Sequence, residues 1–342
     1  MVQSPTPVFV FSLPRSGSTL LQKILAAHPR VATSSEPWIL LPLIMARRPG
    51  AAYAIYRHED AVRAMDEFSR SLVGGRAAFD RALHDFVIDL YRRASPGDVS
   101  YFVDKTPRYH LIADEVIHLF PEAKFIFLWR NPLSVAASMI RTWGSGHWNL
   151  FRHRVDLEIG LPHLVETYRA HKSEVVAVRY EDLVEEPVSV TERVFRYLDL
   201  DFRAEVLQEF ADVTLRGGMG DTTGIMYGAK ISQSSTDAWP TVVTSSLRKA
   251  WLRRYIDTIG KDALATMGYE RDSLLESLRA VDTSNRTLAD DVLRMAYGVG
   301  YRNFDRLVEW RSRRYLRNTR GHVPEVNSCV RMPERTDPSL GR

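Results

Sequence analysis

Two short stretches of this chain carry residue types suited to holding anions. The first is Pro14-Arg15-Ser16-Gly17-Ser18-Thr19-Leu20-Leu21, which follows the run Val8-Phe9-Val10-Phe11 and leads into Leu20, Leu21, Ile24 and Leu25 at helical spacing. A strand entering a helix through such a loop offers backbone N–H groups and the positive end of the helix dipole. Gly17 lets the backbone approach a ligand, Ser18 and Thr19 add hydroxyl donors, and Arg15 adds a donor that stays charged at any working pH. In the second stretch Lys124 to Trp129 reads as a strand with Arg130 at its end, and Asn131-Pro132 opens a helix that carries Ser138 nearly two turns on. Strand ends gather at the carboxyl edge of a parallel sheet, so Arg130 and Ser138 are expected on the same side as Arg15. Two separated grips imply a ligand with two phosphate-like ends. Each also has a plainer account: a Ser/Thr-capped helix start with a surface arginine, and an Arg and Ser pair that serves only the fold. The nucleotide triphosphatase loop G-x-x-x-x-G-K-[ST] is not met, since the first Gly is absent and Ser18 follows Gly17, which disfavours ATP hydrolysis.

The elements that must position these residues alternate. Further strands are predicted at Tyr101 to Asp104 and Val175 to Tyr180, with amphipathic helices such as Asp80 to Arg93 and Asp114 to Phe120 between strands. That alternation predicts an α/β class with a central parallel sheet covered by helices on both faces. Beyond about Arg203 the strand signal fades, and Arg216 to Pro240, rich in Gly, Ser and Thr, reads as a long loop, functional or disordered. The expected organisation is one α/β domain over 1–271, a helical extension over 272–320 hinged at Gly298-Val299-Gly300, and a flexible tail over 321–342.

Composition narrows the class. The chain has 342 residues with 46 Lys+Arg against 42 Asp+Glu, a net charge of +4, and is 45% hydrophobic and 26% charged. These values exclude wholesale disorder, collagen-like repeats and a membrane bundle, and the small charge gives no reason to expect nucleic acid as a partner. The longest apolar stretch, Pro37 to Ala46, contains two prolines and falls short of the roughly 20 residues that span a bilayer. No secretory leader is read at the N-terminus, and the lone Cys329 lies in the tail, so a cytoplasmic location is expected. Arg302 to Arg320 interleaves seven arginines with apolar residues. As a helix it would form a solvated face, contact an anionic membrane peripherally, or cover a second subunit in a homo-oligomer.

The motif pair also carries a resemblance. PRSGSTLL after the first strand, with R-N-P-L-S-V-A-A-S after a later one, resembles the 5′-phosphosulfate loop and the 3′-phosphate motif of sulfotransferases that use 3′-phosphoadenosine-5′-phosphosulfate. The likeness runs from about Val8 to Trp239, with Val178-Arg179-Tyr180-Glu181-Asp182-Leu183 matching a later strand of the family. It implies a P-loop-like three-layer fold, with Arg15, Ser16, Gly17, Ser18 and Thr19 on the 5′ end, Arg130 and Ser138 on the 3′-phosphate, and Tyr180 near the cofactor. An Arg rather than a Lys before the S-G-[ST]-T core, followed by His28-Pro29 and Glu36, is similar to the branch of protein-tyrosine and many bacterial sulfotransferases. In that branch a Glu placed as Glu36 is the catalytic base. Asp104-Lys105-Thr106-Pro107-Arg108-Tyr109 resembles the K-[ST]-P-x-Y segment of carbohydrate sulfotransferases, whose Lys lies by the sulfuryl group. The tyrosine-specific enzymes are luminal, membrane-anchored and disulfide-bonded, unlike this chain as read, so their substrate is not carried over.

Sulfuryl transfer needs a base for the acceptor hydroxyl and positive charge on the leaving-group side. Glu36 is the candidate base, and Arg15 and Lys105 are the candidate cations. Glu36 has a plainer role as an acid at a helix start, and His58 and His110 compete as bases. No metal is expected, because side-chain cations can neutralise the leaving group and no H-x-E or C-x-x-C spacing occurs. Lys230 and Ser234 are expected to touch the cofactor if the long loop covers it. Trp38, Trp143, Trp148, Met45, Met139 and Phe151 could line an apolar acceptor pocket or belong to the core. The expected acceptor is a hydroxyl of a carbohydrate, lipid or secondary metabolite. The rival readings are a nucleotide or small-molecule kinase and a non-catalytic module that binds an adenosine bisphosphate.

Overall fold

Alternation along the first strand sorts its side chains by shape. In the computed structural model, which describes residues 4–52, 54, 56–217 and 238–301, β1 (Thr6–Ser12) turns Phe9 and Phe11 to one face and Val8 and Val10 to the other, all fully buried. A strand apolar on both sides is stable only at the centre of a covered sheet. The phenylalanine face stacks on β4 (Lys124–Trp129), with Phe9 and Phe125 at 5.9 Å and Phe11 and Phe127 at 5.3 Å, beneath helices Ala113–Leu119, Pro132–Trp143 and Leu161–Ala170. The valine face meets Leu21, Ile24 and Leu25 of helix Ser18–Ala26 and Val190, Val194 and Phe195 of helix Pro187–Tyr197. Three layers result, as expected for the α/β class.

With β2 (Val31–Thr33), β3 (Tyr101–Asp104) and β5 (Val176–Arg179), the sheet is five-stranded and wholly parallel, in the order β2-β3-β1-β4-β5. The segments that carry the candidate residues follow Ser12, Thr33, Asp104, Trp129 and Arg179, so all leave the same edge. β1 at the centre has later strands on both sides, which makes that edge the switch point where α/β folds bind ligands.

Several boundaries differ from the sequence expectation. The helix expected over Asp80 to Arg93 begins earlier and runs Gly75–Ala94, and the one expected over Asp114 to Phe120 is Ala113–Leu119. β5 stops at Arg179 because Tyr180 opens a helix, Tyr180–Glu185. The helical pattern after Asp272 is broken: Arg271–Arg279 buries Leu274, Leu275 and Leu278 in the main core, and helix resumes over 288–301. No hinge forms at Gly298-Val299-Gly300, where the backbone stays helical. A Cβ on Gly298 would come within 2.8 Å of Phe151, so this glycine serves close packing rather than bending. Arg248 and Asp291, both buried, hold that last helix through an ion pair at 2.8 Å, and Ser245 donates to Asp291 at 2.6 Å. Among the described residues, no helix is long and apolar enough to cross a membrane. The Arg302 to Arg320 segment and Cys329 lie outside the described residues.

One buried polar pair bears on stability. His110 and Asp156 are both fully buried, with His110 Nε2 3.0 Å from Asp156 Oδ1, and Arg108 completes the group at 3.2 Å. Burial lowers the His110 pKa from its ordinary value despite the opposing pull of Asp156, so the folded state favours neutral imidazole. Below about pH 6.5 the unfolded chain takes up the proton more readily, and the stability gained from neutral His110 is lost as pH falls through that range. His110→Phe is expected to cost about 1–3 kcal/mol at pH 7.5 by leaving Asp156 short of a donor. Urea unfolding at pH 7.5 and 5.5 checks this, with the gap between parent and variant narrower at the lower pH.

Candidate active site

The loop after β1 is shaped by two residues with left-handed backbone. Arg15 has φ 69° and Gly17 has φ 87°, and the Ser16 N–H donates to the Leu13 carbonyl at 3.3 Å, closing a tight turn. Gly17 is irreplaceable on geometric grounds, because a Cβ there would meet the Tyr180 ring at 2.2 Å. It precedes helix Ser18–Ala26, whose N-terminus has no side-chain cap and no acid in its first turn. The dipole and the first N–H groups are therefore not neutralised by a local side chain, the condition under which a helix start receives an external anion. Helix Pro132–Trp143 differs, since the Asn131 side chain accepts from Leu133 N–H at 2.9 Å.

Both grips meet around Arg15. Its Nε donates to Ser138 Oγ at 3.2 Å, and Arg130 Nη1 donates to its carbonyl oxygen at 2.8 Å. Arg130 is nearly buried and lies over the Tyr180 ring at 4.3 Å. Burial lowers its pKa from the ordinary guanidinium value, and the positive charge of Arg15 acts in the same direction. An anion placed between them would relieve both effects. Glu181, next to Tyr180, accepts the Asn131 N–H at 2.9 Å and the Tyr269 hydroxyl at 2.6 Å, which fixes the start of the helix that carries Ser138.

Glu36 and Lys105 form the other half of the site. Their Oε1 and Nζ atoms lie 2.7 Å apart with side chains 10% and 1% exposed, and Nζ also reaches Thr19 Oγ1 at 3.4 Å. The second oxygen of Glu36 accepts the Trp38 indole N–H at 3.1 Å. Gln22, fully buried in the first helix, holds the approach to Glu36 by donating to Thr33 Oγ1 at 2.8 Å and to the Ser34 carbonyl at 2.7 Å. Ser35 N–H donates to the Arg216 carbonyl at 2.8 Å, which brings the beginning of the predicted long loop against this segment. Asp104, just before Lys105, is fully buried; burial pushes its carboxyl up to about 6, while hydrogen bonds from Tyr91, Thr106 and Tyr109 and the charge of Lys105 hold it down.

These contacts link Arg15, Thr19, Glu36, Lys105, Arg130, Ser138 and Tyr180 at one sheet edge, and Ser16 and Ser18 are buried within the same loop. Lys230 and Ser234 lie outside the described residues. Neither histidine weighed as a base contacts Glu36 or Lys105: His58 is buried with Nε2 3.0 Å from the Arg48 carbonyl, and His110 is spent on Asp156. Of the aromatics considered for an acceptor wall, Trp143 lies 5.9 Å from the Arg15 guanidinium and is half exposed, and Trp38 touches Glu36. Trp148 belongs instead to the core, edge-on to Trp251 at 5.0 Å, and Met139 is fully buried. Sequence reasoning missed Gln22, Asp104, Thr106 and Glu181 as supports. Asp104 and Thr106 bond each other two residues apart, but what ties these residues to the site is contacts with other segments.

Elsewhere, Asp114, His118 and His171 bring one possible metal-ligating atom each within 4.8 Å of one another. Direct contacts account for the group: His171 Nε2 lies 3.0 Å from the Asp114 carboxylate, and His118 Nδ1 lies 2.7 Å from the Asp114 carbonyl. None of the residues at the sheet edge is among them.

Comparison with known proteins shows likenesses of sequence and of fold. The model of the sulfotransferase family matches residues 7–204. Over 300 residues the chain is 29% identical to nodulation protein NoeE of Sinorhizobium fredii, covering 78% of this chain and 67% of that protein. Over 262 residues it is 24% identical to a putative protein-tyrosine sulfotransferase of Caenorhabditis briggsae, covering 75% and 83%. It spans only 27% of an uncharacterized protein of Aquifex aeolicus to which it is 27% identical. Among solved structures, the sulfotransferase domain from the curacin biosynthetic pathway superposes with a TM-score of 0.52 at 23% identity, over 78% of this chain and 98% of that domain. That likeness shows a shared fold.

Proposed function

We propose that this chain, which belongs to the sulfotransferase family, takes its sulfuryl group from 3′-phosphoadenosine-5′-phosphosulfate and delivers it to a hydroxyl of a carbohydrate, lipid or secondary metabolite. One observation carries the choice of donor: Arg15 joins two anion grips, bonding Ser138 through its side chain and Arg130 through its carbonyl, while the Glu36 and Lys105 pair sits beside Thr19 in the first grip. A ligand with phosphate groups at both ends of a nucleoside fits two linked grips, and the uncapped helix start after Gly17 suits its 5′ end.

In this reading the donor supplies a sulfuryl group joined to phosphate through a bridging oxygen. Ser16, Ser18, Thr19 and the Gly17 backbone hold that end, and Arg130 and Ser138 hold the 3′-phosphate. Glu36 accepts the proton of the acceptor hydroxyl as the oxygen bonds to sulfur. As the bond from sulfur to the bridging oxygen breaks, Arg15 and Lys105 face the charge that collects on the phosphate. Their two fixed positive charges are enough for that role, so the proposed step uses no metal. Trp38 and Trp143 supply apolar surface beside it for the acceptor. A cytoplasmic location belongs to the proposal as well.

The kinase reading is weaker because Ser18 stands where a triphosphate-binding loop needs its lysine. Thermal unfolding separates the two. Adenosine 3′,5′-bisphosphate at a hundredfold its Kd is expected to add about 2.7 kcal/mol of stability, with no shift from ATP plus magnesium. A shift with ATP alone overturns the proposal. Transfer of labelled sulfate from the donor to a panel of hydroxylated acceptors, tyrosine peptides included, then tests turnover and the acceptor class.

A further inference from the structure

We infer that Asp104 is a positioning residue for the Glu36 and Lys105 pair, holding both through a set of hydrogen bonds whose direction only a carboxylate can fix. The inference rests on the reading of that pair as the sulfuryl-transfer machinery.

Asp104 closes β3 and is fully buried. Oδ2 accepts the Tyr91 hydroxyl at 2.6 Å and the Tyr109 hydroxyl at 3.1 Å, and Oδ1 accepts the Thr106 hydroxyl at 3.0 Å. Each hydroxyl has a single proton. Because Thr106 and Tyr109 spend theirs on Asp104, their lone pairs are turned outward to accept. Thr106 Oγ1 takes the Trp38 backbone N–H at 3.3 Å, and the Tyr109 hydroxyl oxygen takes the Leu40 N–H at 3.1 Å. The segment just after Glu36 is thus pinned at two backbone points by groups that Asp104 orients.

Trp38 needs such restraint. Its φ of 58° lies in the left-handed region, which a bulky L-residue holds only when its surroundings impose it. In that conformation its indole N–H reaches Glu36 Oε2 at 3.1 Å, while Lys105, one peptide from Asp104, holds Oε1 at 2.7 Å. Both oxygens of Glu36 therefore trace back to Asp104, one through Thr106 and Trp38 and the other through the backbone. An amide cannot replace the carboxylate. Asparagine offers one oxygen and one NH₂, so whichever way it turns, one side of the network faces a donor in place of an acceptor.

The experiment compares Asp104→Asn, Thr106→Val and Thr106→Ser with the parent at pH 7.5, following both turnover and the indole ¹⁵N–¹H resonance of Trp38, assigned with Trp38→Phe. Asp104→Asn and Thr106→Val are expected to lower kcat by about tenfold or more, as small displacements of reacting groups do, with affinity for adenosine 3′,5′-bisphosphate within about twofold of the parent by the same argument, since the phosphate grips are untouched. Both are expected to move the Trp38 resonance, whereas Thr106→Ser keeps the hydroxyl and restores parental turnover and resonance. An unmoved resonance and unchanged kcat in Thr106→Val overturn the inference. So does a loss of turnover matched by an equal loss of bisphosphate affinity, which would mean general damage to the fold. The resonance does not depend on catalysis. If the parent fails to turn over the donor while Thr106→Val still shifts the indole signal, the functional reading is wrong and the positioning by Asp104 stands.

Discussion

Glu36→Gln is expected to bind adenosine 3′,5′-bisphosphate at least as tightly as the parent and to lose turnover by about 10² or more, the range for removal of a general base. The amide preserves size and can still accept the Trp38 indole N–H through its oxygen, so the segment after β2 should keep its course. What it cannot do is take a proton. It also removes the only carboxylate bonded to Lys105 among the described residues, a buried ammonium at 2.7 Å from Glu36 Oε1. Freed of that partner, Lys105 adds its charge to the anion grip. Affinity for the bisphosphate should therefore hold or rise while kcat falls, a pairing that a misfolded variant would not give. Isothermal titration with the bisphosphate and initial rates with the donor measure the two halves. Turnover near the parental value removes Glu36 from the role of base.

Legibility in the sequence divided along the reach of the interactions. The loop from Pro14 to Thr19 was readable because every feature it needs is local: an apolar strand before it, a helical apolar spacing after it, and Gly17 where backbone must come close. Parallel strands buried on both faces are continuous apolar runs, and for that reason β1 and β4 stood out, while the three residues of β2 are too few to show any period. The grouping of Arg130 and Ser138 with Arg15 followed from a topological rule, that parallel strands share a carboxyl edge, while Lys105 was placed with them by the family resemblance of its segment. Asp104 and Gln22 had no such rule behind them. Asp104 bonds Thr106 and Tyr109 close by, but its bond from Tyr91 and the one from Trp38 to Thr106 span 13 and 68 residues, and Gln22 reaches Thr33 11 residues on. The two glycines near the end misled for a related reason: Gly298 is small because Phe151, far off in sequence, packs against it. Trp148 lies close in sequence to the second anion grip yet faces Trp251, which only the path of the chain determines.

Arg130→Ala is expected to weaken adenosine 3′,5′-bisphosphate by about 30-fold to about 4,000-fold, since losing one partner of a buried charged hydrogen bond costs roughly 2–5 kcal/mol and each 1.4 kcal/mol is a factor of ten. The choice of second ligand makes the result informative. Adenosine 5′-monophosphate has the same 5′ end and lacks the 3′-phosphate, so its affinity should fall only about threefold, within ordinary mutational scatter for a contact it does not make. A structural role for Arg130 predicts something else. Its Nη1 holds the Arg15 carbonyl at 2.8 Å, and if that were its whole purpose, its loss would loosen the first loop and penalise both ligands alike. Equal losses on the two nucleotides therefore discard Arg130 as the 3′-phosphate grip. Arg130→Lys should fall between, because a lysine keeps the charge and gives up both the flat face set against Tyr180 at 4.3 Å and the fork that lets one nitrogen bond Arg15 while another would meet the proposed phosphate. Retention of bisphosphate preference in the lysine variant, with its loss in the alanine variant, would assign the discrimination to charge; loss in both would assign it to the planar geometry.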